Sequence, residues 1–106
     1  VEATMPTTTT YYSFTQDVPI NEEIYRGLMA EVGSEPPPGL VVHLAVELPA
    51  GGLRYIDVWE SQAAHERFVE ERLHPAVHRM LAAVFGDDLP PEPPMTPLTV
   101  IDVLGR

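Results

Sequence analysis

The chain has 106 residues, 44% of them hydrophobic, which suits one globular domain with a single core. Its formal net charge is −10 and it contains no Lys, so neither nucleic acid nor an anionic membrane surface is an expected partner, because both bind basic patches. The absence of Cys excludes disulfides and Cys-based zinc sites. Together with an N-terminus unlike a secretory signal and no apolar run of membrane-spanning length, it predicts a cytoplasmic protein.

The N-terminal part of the chain predicts a strand followed by a helix. Residues 1–10 are interpreted as a flexible leader, and residues 11–106 as a single domain. "YYSFTQDV", Tyr11 to Val18, is rich in aromatic and β-branched residues, which favour a strand. Asn21 is a good N-cap for the helix that follows, in which an apolar residue recurs at four-residue spacing, and Gly33 is its predicted end.

The remainder predicts a hairpin, a second helix and a last strand. "LVVHLAVEL", Leu40 to Leu48, and "LRYIDVW", Leu53 to Trp59, are strands joined by the turn "PAGG". Ser61 is a natural N-cap for a helix that Pro75 should interrupt, because proline lacks the amide hydrogen and crowds the preceding turn. "LTVIDVL", Leu98 to Leu104, is the predicted last strand.

The order β-α-β-β-α-β indicates an α+β, ferredoxin-like fold with an antiparallel sheet and both helices on one face. Successive side chains of a strand point to opposite faces, which divides the hairpin into two sets. The apolar set is expected beneath the helices: Leu40, Val42, Leu44, Val46, Leu48, Ile56 and Val58. The mixed set is expected to form a homodimer interface: His43, Tyr55, Asp57 and Trp59.

His43 should lie opposite or diagonal to Asp57 or Trp59, because direct partners across a hairpin share a face. A His–Asp pair at that place can orient a dyad for acid–base chemistry. The same pair can equally be a satisfied polar contact in the dimer interface, since buried polar groups need partners with or without chemistry. The sequence leaves both interpretations open.

The stretch "DVWES", Asp57 to Ser61, followed by an amphipathic helix in a chain of this order, resembles the dimeric α+β barrel superfamily. Within it, the chain is most similar to the antibiotic biosynthesis monooxygenase-like domains, over residues 11–104. The resemblance implies a barrel built by the sheets of two subunits. It also implies an activity from a wide range, because the superfamily includes cofactor-free oxygenases, polyketide cyclases, haem-degrading enzymes, dehydratases and proteins without an assigned reaction.

In those relatives the ligand commonly lies between the helices and the sheet of each subunit. Carried over to this chain, the resemblance implies three substrate-binding residues: Phe68, Leu44 and Ile56. His78 is the first candidate for the catalytic base and His65 the alternative, because imidazole titrates near neutral pH. Arg72 is the candidate stabiliser of an enolate.

The same residues give little support to a haem or metal site. Haem-degrading relatives have a Trp where this chain has Phe68 and a ligand His where it has His78, so only the His matches. His74 and His78 are four residues apart, but "HPAVH" places Pro75 where the zinc protease motif has its Glu, and a third ligand such as His43 is needed. Neither a metal nor an organic cofactor is therefore expected.

Three classes of function stay open. The first is a small cofactor-independent enzyme that oxygenates or cyclises an aromatic or polyketide-like molecule. The second is a binding module with an apolar pocket and no chemistry. The third is a structural homodimer whose polar groups only stabilise the interface. The expected partners are therefore a second copy of the chain and an apolar or aromatic small molecule.

Overall fold

The structure, a computed structural model, describes residues 10–85 and 92–105. The predicted leader, residues 1–10, lies outside the described residues except for its last position. Within the two described stretches, none of the helices combines the length and the apolar character needed to cross a membrane.

The described residues form strands and helices in the predicted alternation. The strands are β1 (Tyr12–Val18), β2 (Leu40–Glu47), β3 (Leu53–Trp59) and β4 (Met95–Leu98). The helices are α1 (Glu22–Val32), α2 (Gln62–Phe68) and α3 (His74–Phe85), and a π-helical turn (Val69–Leu73) joins α2 to α3.

The four strands form one sheet in the order β2-β3-β1-β4, and each neighbouring pair is antiparallel. β2 and β3 make the predicted hairpin, whereas β1 lies between β3 and β4, so the helical segments connect strands that are not neighbours. This small α+β architecture with an antiparallel sheet is compatible with a ferredoxin-like fold.

The predicted helix ends are confirmed by their capping hydrogen bonds. The Asn21 side chain accepts a hydrogen bond from the amide of Ile24 at 2.8 Å, and the Ser61 hydroxyl accepts one from the amide of Ala64 at 3.1 Å. Gly33 follows α1 with a φ of 104°, a conformation that glycine adopts without a steric penalty.

The interruption predicted from Pro75 is also found, one turn before the proline. Pro75 has no amide hydrogen for the carbonyl of Glu71 and its ring crowds that group. The helix widens there into the π-helical turn Val69–Leu73, and the amide of His74 bonds to the carbonyl of Val69, five residues back. The helix therefore continues through the break without a loop.

The last strand lies earlier than the sequence predicted. The pattern predicts a strand over residues 98–104, whereas β4 covers Met95–Leu98 and pairs with β1. Residues 99–105 are not in a strand, and Ile101 and Leu104 are 92% and 94% exposed. Their β-branched composition favours a strand, but a strand also needs a neighbour to pair with, and no described residue pairs with this segment.

The helices pack on the sheet face that the sequence assigned to a dimer interface. His43, Tyr55, Asp57 and Trp59 share this face, where the hydroxyl of Tyr25 from α1 lies 2.9 Å from the His43 ring. Trp59 is only 1% exposed and Asp57 6%. The predicted assignment of the two faces is therefore wrong, and these four residues lie beneath the helices.

The aliphatic face points away from the helices. Leu44 pairs with Ile56 on this face, and Leu44 and Val46 remain 48% and 44% exposed. Leu44 and Ile56, which were predicted to bind substrate beneath the helices, therefore belong to the face that no described helix covers, called here the uncovered face, although Val58 and Ser13 on it are each only 5% exposed.

Side-chain size and polar pairing explain this choice of face. Each aromatic side chain buries about 150–250 Å² of surface, so the face that carries Phe14, Tyr55 and Trp59 offers more area to the helices than the aliphatic face does. The polar atoms of His43 and Asp57 bond to each other, which offsets the cost of removing them from water.

Candidate functional site

A buried carboxylate organises the centre of the helix-covered face. One oxygen of Asp57, on β3, lies 2.7 Å from Nδ1 of His43, and the other accepts a hydrogen bond from the indole of Trp59 at 3.0 Å. Nε2 of His43 lies 2.9 Å from the hydroxyl of Tyr25. The predicted pair of His43 and Asp57 is thereby confirmed, in directly opposite register.

The hydrogen bonds define the tautomer of His43. A carboxylate only accepts hydrogen bonds, so Nδ1 of His43 donates to Asp57. In the neutral ring Nε2 is then an acceptor, and the hydroxyl of Tyr25 donates to it. The arrangement is a carboxylate–imidazole–phenol chain that joins two strands to α1.

The hydrogen-bonded chain of Asp57, His43 and Tyr25 has the geometry of a proton relay, and it also stabilises the fold. Burial, together with the negative charge of Asp57, raises the pKa of Tyr25 despite the opposing effect of Arg26. Tyr55, whose ring lies 5.8 Å from that of Tyr25, also has its pKa raised, first by burial. Both phenols therefore keep their protons at neutral pH, and the chain holds α1 against β2 and β3.

Tyr25→Phe removes the hydroxyl that bonds to His43, and we expect it to lower the free energy of unfolding by about 0.5–1.5 kcal/mol. Tyr55→Phe is the matched control, because the hydroxyl of Tyr55 bonds to no described residue. Urea unfolding of both variants measures the difference. Equal losses in the two variants would show that the bond between Tyr25 and His43 contributes nothing.

A cavity of about 470 Å³ lies between the helical segment and the other half of the sheet. Tyr12 and Gln16 of β1 line it from the sheet with Met95 of β4, and Val69 and Leu73 line it from the π-helical turn. This volume falls in the range of small-molecule sites. The π-helical turn imposed near Pro75 therefore also shapes the cavity, as such turns often do at functional sites.

His65, on α2, forms an inner wall of this cavity. It is 8% exposed, and its ring packs 5.4, 4.9 and 5.2 Å from the rings of Tyr12, Phe14 and Trp59. Its Nδ1 is buried without a hydrogen-bond partner among the described residues, which leaves Nε2 as the ring nitrogen that a bound molecule can reach. Burial outweighs the nearby carboxylates and lowers the pKa of His65, so the ring is neutral at pH 7.

A neutral buried His makes stability depend on pH. Because the pKa of His65 in the folded protein is below the ordinary 6.5, the unfolded chain binds more protons in acid than the folded protein does. The stabilisation that is present above pH 6.5 is therefore lost as the pH falls through the pKa of the folded state. His65→Phe should make the decline in unfolding free energy between pH 7 and 5 shallower, by at most about 1.4 kcal/mol per pH unit.

The control for this pH dependence is His78→Gln, which removes an exposed His of α3. Denaturant unfolding at pH 5, 6 and 7 measures both slopes, and the slope of His78→Gln should stay close to that of the unaltered protein. A His65→Phe slope that equals the unaltered one would contradict the prediction.

Of the three predicted catalytic residues, only His65 lines the cavity. His78 is exposed on α3 and does not line it. The guanidinium of Arg72 donates hydrogen bonds to backbone carbonyls at the end of α1 and just after it. It bonds to the carbonyl of Val32 at 3.1 and 3.2 Å and to that of Glu35 at 2.8 Å. These bonds occupy Arg72 in joining the two helical segments.

Phe68, predicted to stack on a substrate, instead packs within the protein. Its ring lies 5.3 Å from that of Trp59, and the guanidinium carbon of Arg72 lies 5.6 Å from its centroid. Phe68 does not line the cavity. It therefore supports the position of Trp59 and Arg72 rather than a ligand.

Of the cavity's lining residues, sequence analysis proposed only His65, and it also missed Tyr25; among the missed residues, Tyr12, Gln16 and Tyr25 do carry a signal in the sequence. Tyr12 and Gln16 alternate with Phe14 along β1, so one buried aromatic residue was enough to assign all three to the helix-covered face. Tyr25 is three residues before the buried Leu28 on α1, a spacing that places an aromatic residue with a polar tip on the inward stripe.

Across residues 10–85 and 92–105, no group of three or more His, Asp or Glu side chains is arranged to hold a metal ion. No protein-family model, no curated protein and no solved structure matches the chain. The function is therefore argued from the cavity and the hydrogen-bonded chain themselves.

Proposed function

We propose that the protein is a small cofactor-independent enzyme of the antibiotic biosynthesis monooxygenase-like type, which acts on an aromatic or polyketide-like molecule beside His65. The observation that carries the proposal is the cavity of about 470 Å³ that contains a buried, neutral imidazole. A concave site of this volume, in which titratable and hydrogen-bonding side chains meet apolar ones, is a candidate small-molecule site.

Oxygenation and cyclisation of such a molecule both begin with loss of a proton next to a carbonyl, which leaves an enolate. Nε2 of a neutral His65 can accept that proton as a general base, and the aromatic rings around it limit access of water. This assigns the role of base to His65, the alternative candidate from the sequence, rather than to His78.

The enolate oxygen needs hydrogen-bond donors on the cavity wall. Gln16 donates one amide hydrogen to the carbonyl of Pro93 at 2.7 Å, and the second amide hydrogen remains for a ligand. The hydroxyl of Tyr12 is the other donor on the same wall. These two side chains take the role that the sequence assigned to Arg72.

His65→Phe should lower turnover of an anthrone or a poly-β-ketone by about 100-fold or more, because general acid–base catalysis contributes about 10²–10⁴. His78→Gln is the control, since that His does not line the cavity, and its rate should stay within about twofold of the unaltered protein. Absorbance of the product in air-saturated buffer measures the rates. Unaltered protein with no activity above buffer, or a His65→Phe variant that matches it, would refute the proposal.

A second candidate function, a homodimer that binds without chemistry, is favoured by the uncovered sheet face. Leu44, Val46 and Leu98 on this face are 48%, 44% and 39% exposed, and Ile101 and Leu104 beyond it are almost wholly exposed. Exposed apolar surface of this kind marks interaction sites. Two such sheets packed face to face would give the barrel that the resemblance implies, through the face opposite to the predicted one.

Leu44→Asp places a charge among the exposed apolar side chains of this face and should convert a dimer into a folded monomer, because a buried unpaired charge is costly. Ile24→Asp is the control, since Ile24 is 37% exposed and belongs to α1, which packs on the opposite face of the sheet. Light scattering at micromolar concentration measures the mass. Monomeric unaltered protein, or a dimeric Leu44→Asp variant, would contradict the assignment of this face.

A further inference from the structure

The ionised side chains that line the cavity are all acidic. Glu66 of α2, Glu70 of the π-helical turn and Glu92 before β4 line it, and no Arg is among the lining residues. The side-chain amide of Gln62 donates to the carboxylate of Glu66 at 2.9 Å and so holds it beside the cavity. The chain has no Lys, and its net charge of −10 adds to the negative potential at this place.

The interior of the same cavity holds a buried imidazole. His65 is more than nine-tenths buried, and its Nδ1 has no hydrogen-bond partner among the described residues. A neutral imidazole there contributes no positive charge to balance the glutamates. The other walls include the ring of Tyr12 and the apolar side chains of Val69, Leu73 and Met95. The cavity therefore combines an apolar and aromatic wall with an acidic edge.

We propose that the molecule bound in this cavity joins a flat apolar body to a cationic amine. The inference rests on the proposed function and deepens it, because it names the charge of the small molecule that the enzyme takes. The flat body lies against Tyr12 and the apolar side chains, and the ammonium group lies at the edge formed by Glu66, Glu70 and Glu92. Neutral molecules of the same shape bind more weakly, and anionic ones are repelled.

The expected size of the effect follows from the exposure of the glutamates. All three are exposed, and one exposed ion pair changes an equilibrium about 1.4- to 5-fold. Three carboxylates around one ammonium should therefore favour a cation over a neutral molecule of equal shape by about 5- to 20-fold. The preference should shrink in 0.5 M salt, because salt screens exposed charges.

The test uses three probes with one ring system: 2-(aminomethyl)naphthalene, 2-naphthalenemethanol and 2-naphthoate. Isothermal titration calorimetry of each probe measures the affinities. All titrations are run at pH 8. The amine should bind about 5- to 20-fold more tightly than the alcohol, and the carboxylate most weakly.

Glu70→Gln and Glu92→Gln should each reduce the advantage of the amine about two- to fivefold and leave the affinity of the alcohol unchanged. Glu35→Gln is the matched control, because it removes one exposed carboxylate that does not line the cavity. If Glu35→Gln reduces the advantage as much as Glu70→Gln does, the preference comes from the net charge of the chain and the inference is wrong.

The failures of the two proposals are distinguishable. If the alcohol binds and the amine has no advantage, the inference about charge is overturned and the proposed function stands. If none of the three probes binds, the cavity does not take flat molecules, and both proposals fail. An advantage of the amine without turnover of any anthrone supports the charge inference and leaves the protein a binding module.

Discussion

The fold depends on pairing both oxygens of the Asp57 carboxylate beneath the helices. A buried charge without partners costs several kcal/mol, so the carboxylate is tolerated only when His43 and Trp59 are both in place. His43 in turn bonds to Tyr25, which belongs to α1. The helix, the hairpin and the indole must therefore assemble together, and this shared requirement favours one arrangement of α1 on the sheet over its alternatives.

The same carboxylate positions the cavity through Trp59. The indole is fixed at one edge by Asp57 and packs against His65 and Phe68 of α2 on its other sides. The place of α2 on the sheet, and hence the wall that His65 forms, follows from this contact. The space that becomes the cavity is then completed by the π-helical turn, which exists because Pro75 cannot donate an amide hydrogen.

Local signals predicted the capped helix starts and the hairpin, but not the bounds of β4, which depend on pairing with β1. Strand alternation placed His43 on one face with Asp57 and Trp59, and the hairpin register then decides that Asp57 is its direct partner. The choice of face was not local. Asp57 was expected to avoid the helices because it is polar, but its polar atoms are satisfied by neighbours that are distant in sequence. His78 and Arg72 were misplaced for a related reason, since a helical spacing does not show which contacts the folded chain already provides for a side chain.

The acidic edge of the cavity and the apolar uncovered face lie on opposite sides of the sheet, where the negative charge of one does not oppose association through the other. The chain is strongly acidic, and self-repulsion opposes association of acidic chains. On the uncovered face, however, Asp17 is bound by Arg54 through two hydrogen bonds of 2.7 and 2.9 Å, which hold the pKa of Asp17 below its ordinary value. The charges of this pair cancel, and their neighbours Leu44 and Val46 are apolar. The uncovered face is thus close to neutral, whereas the glutamates lie at the cavity beneath the helices. The negative charge that suits a cationic ligand therefore does not oppose contact between the uncovered faces of two sheets.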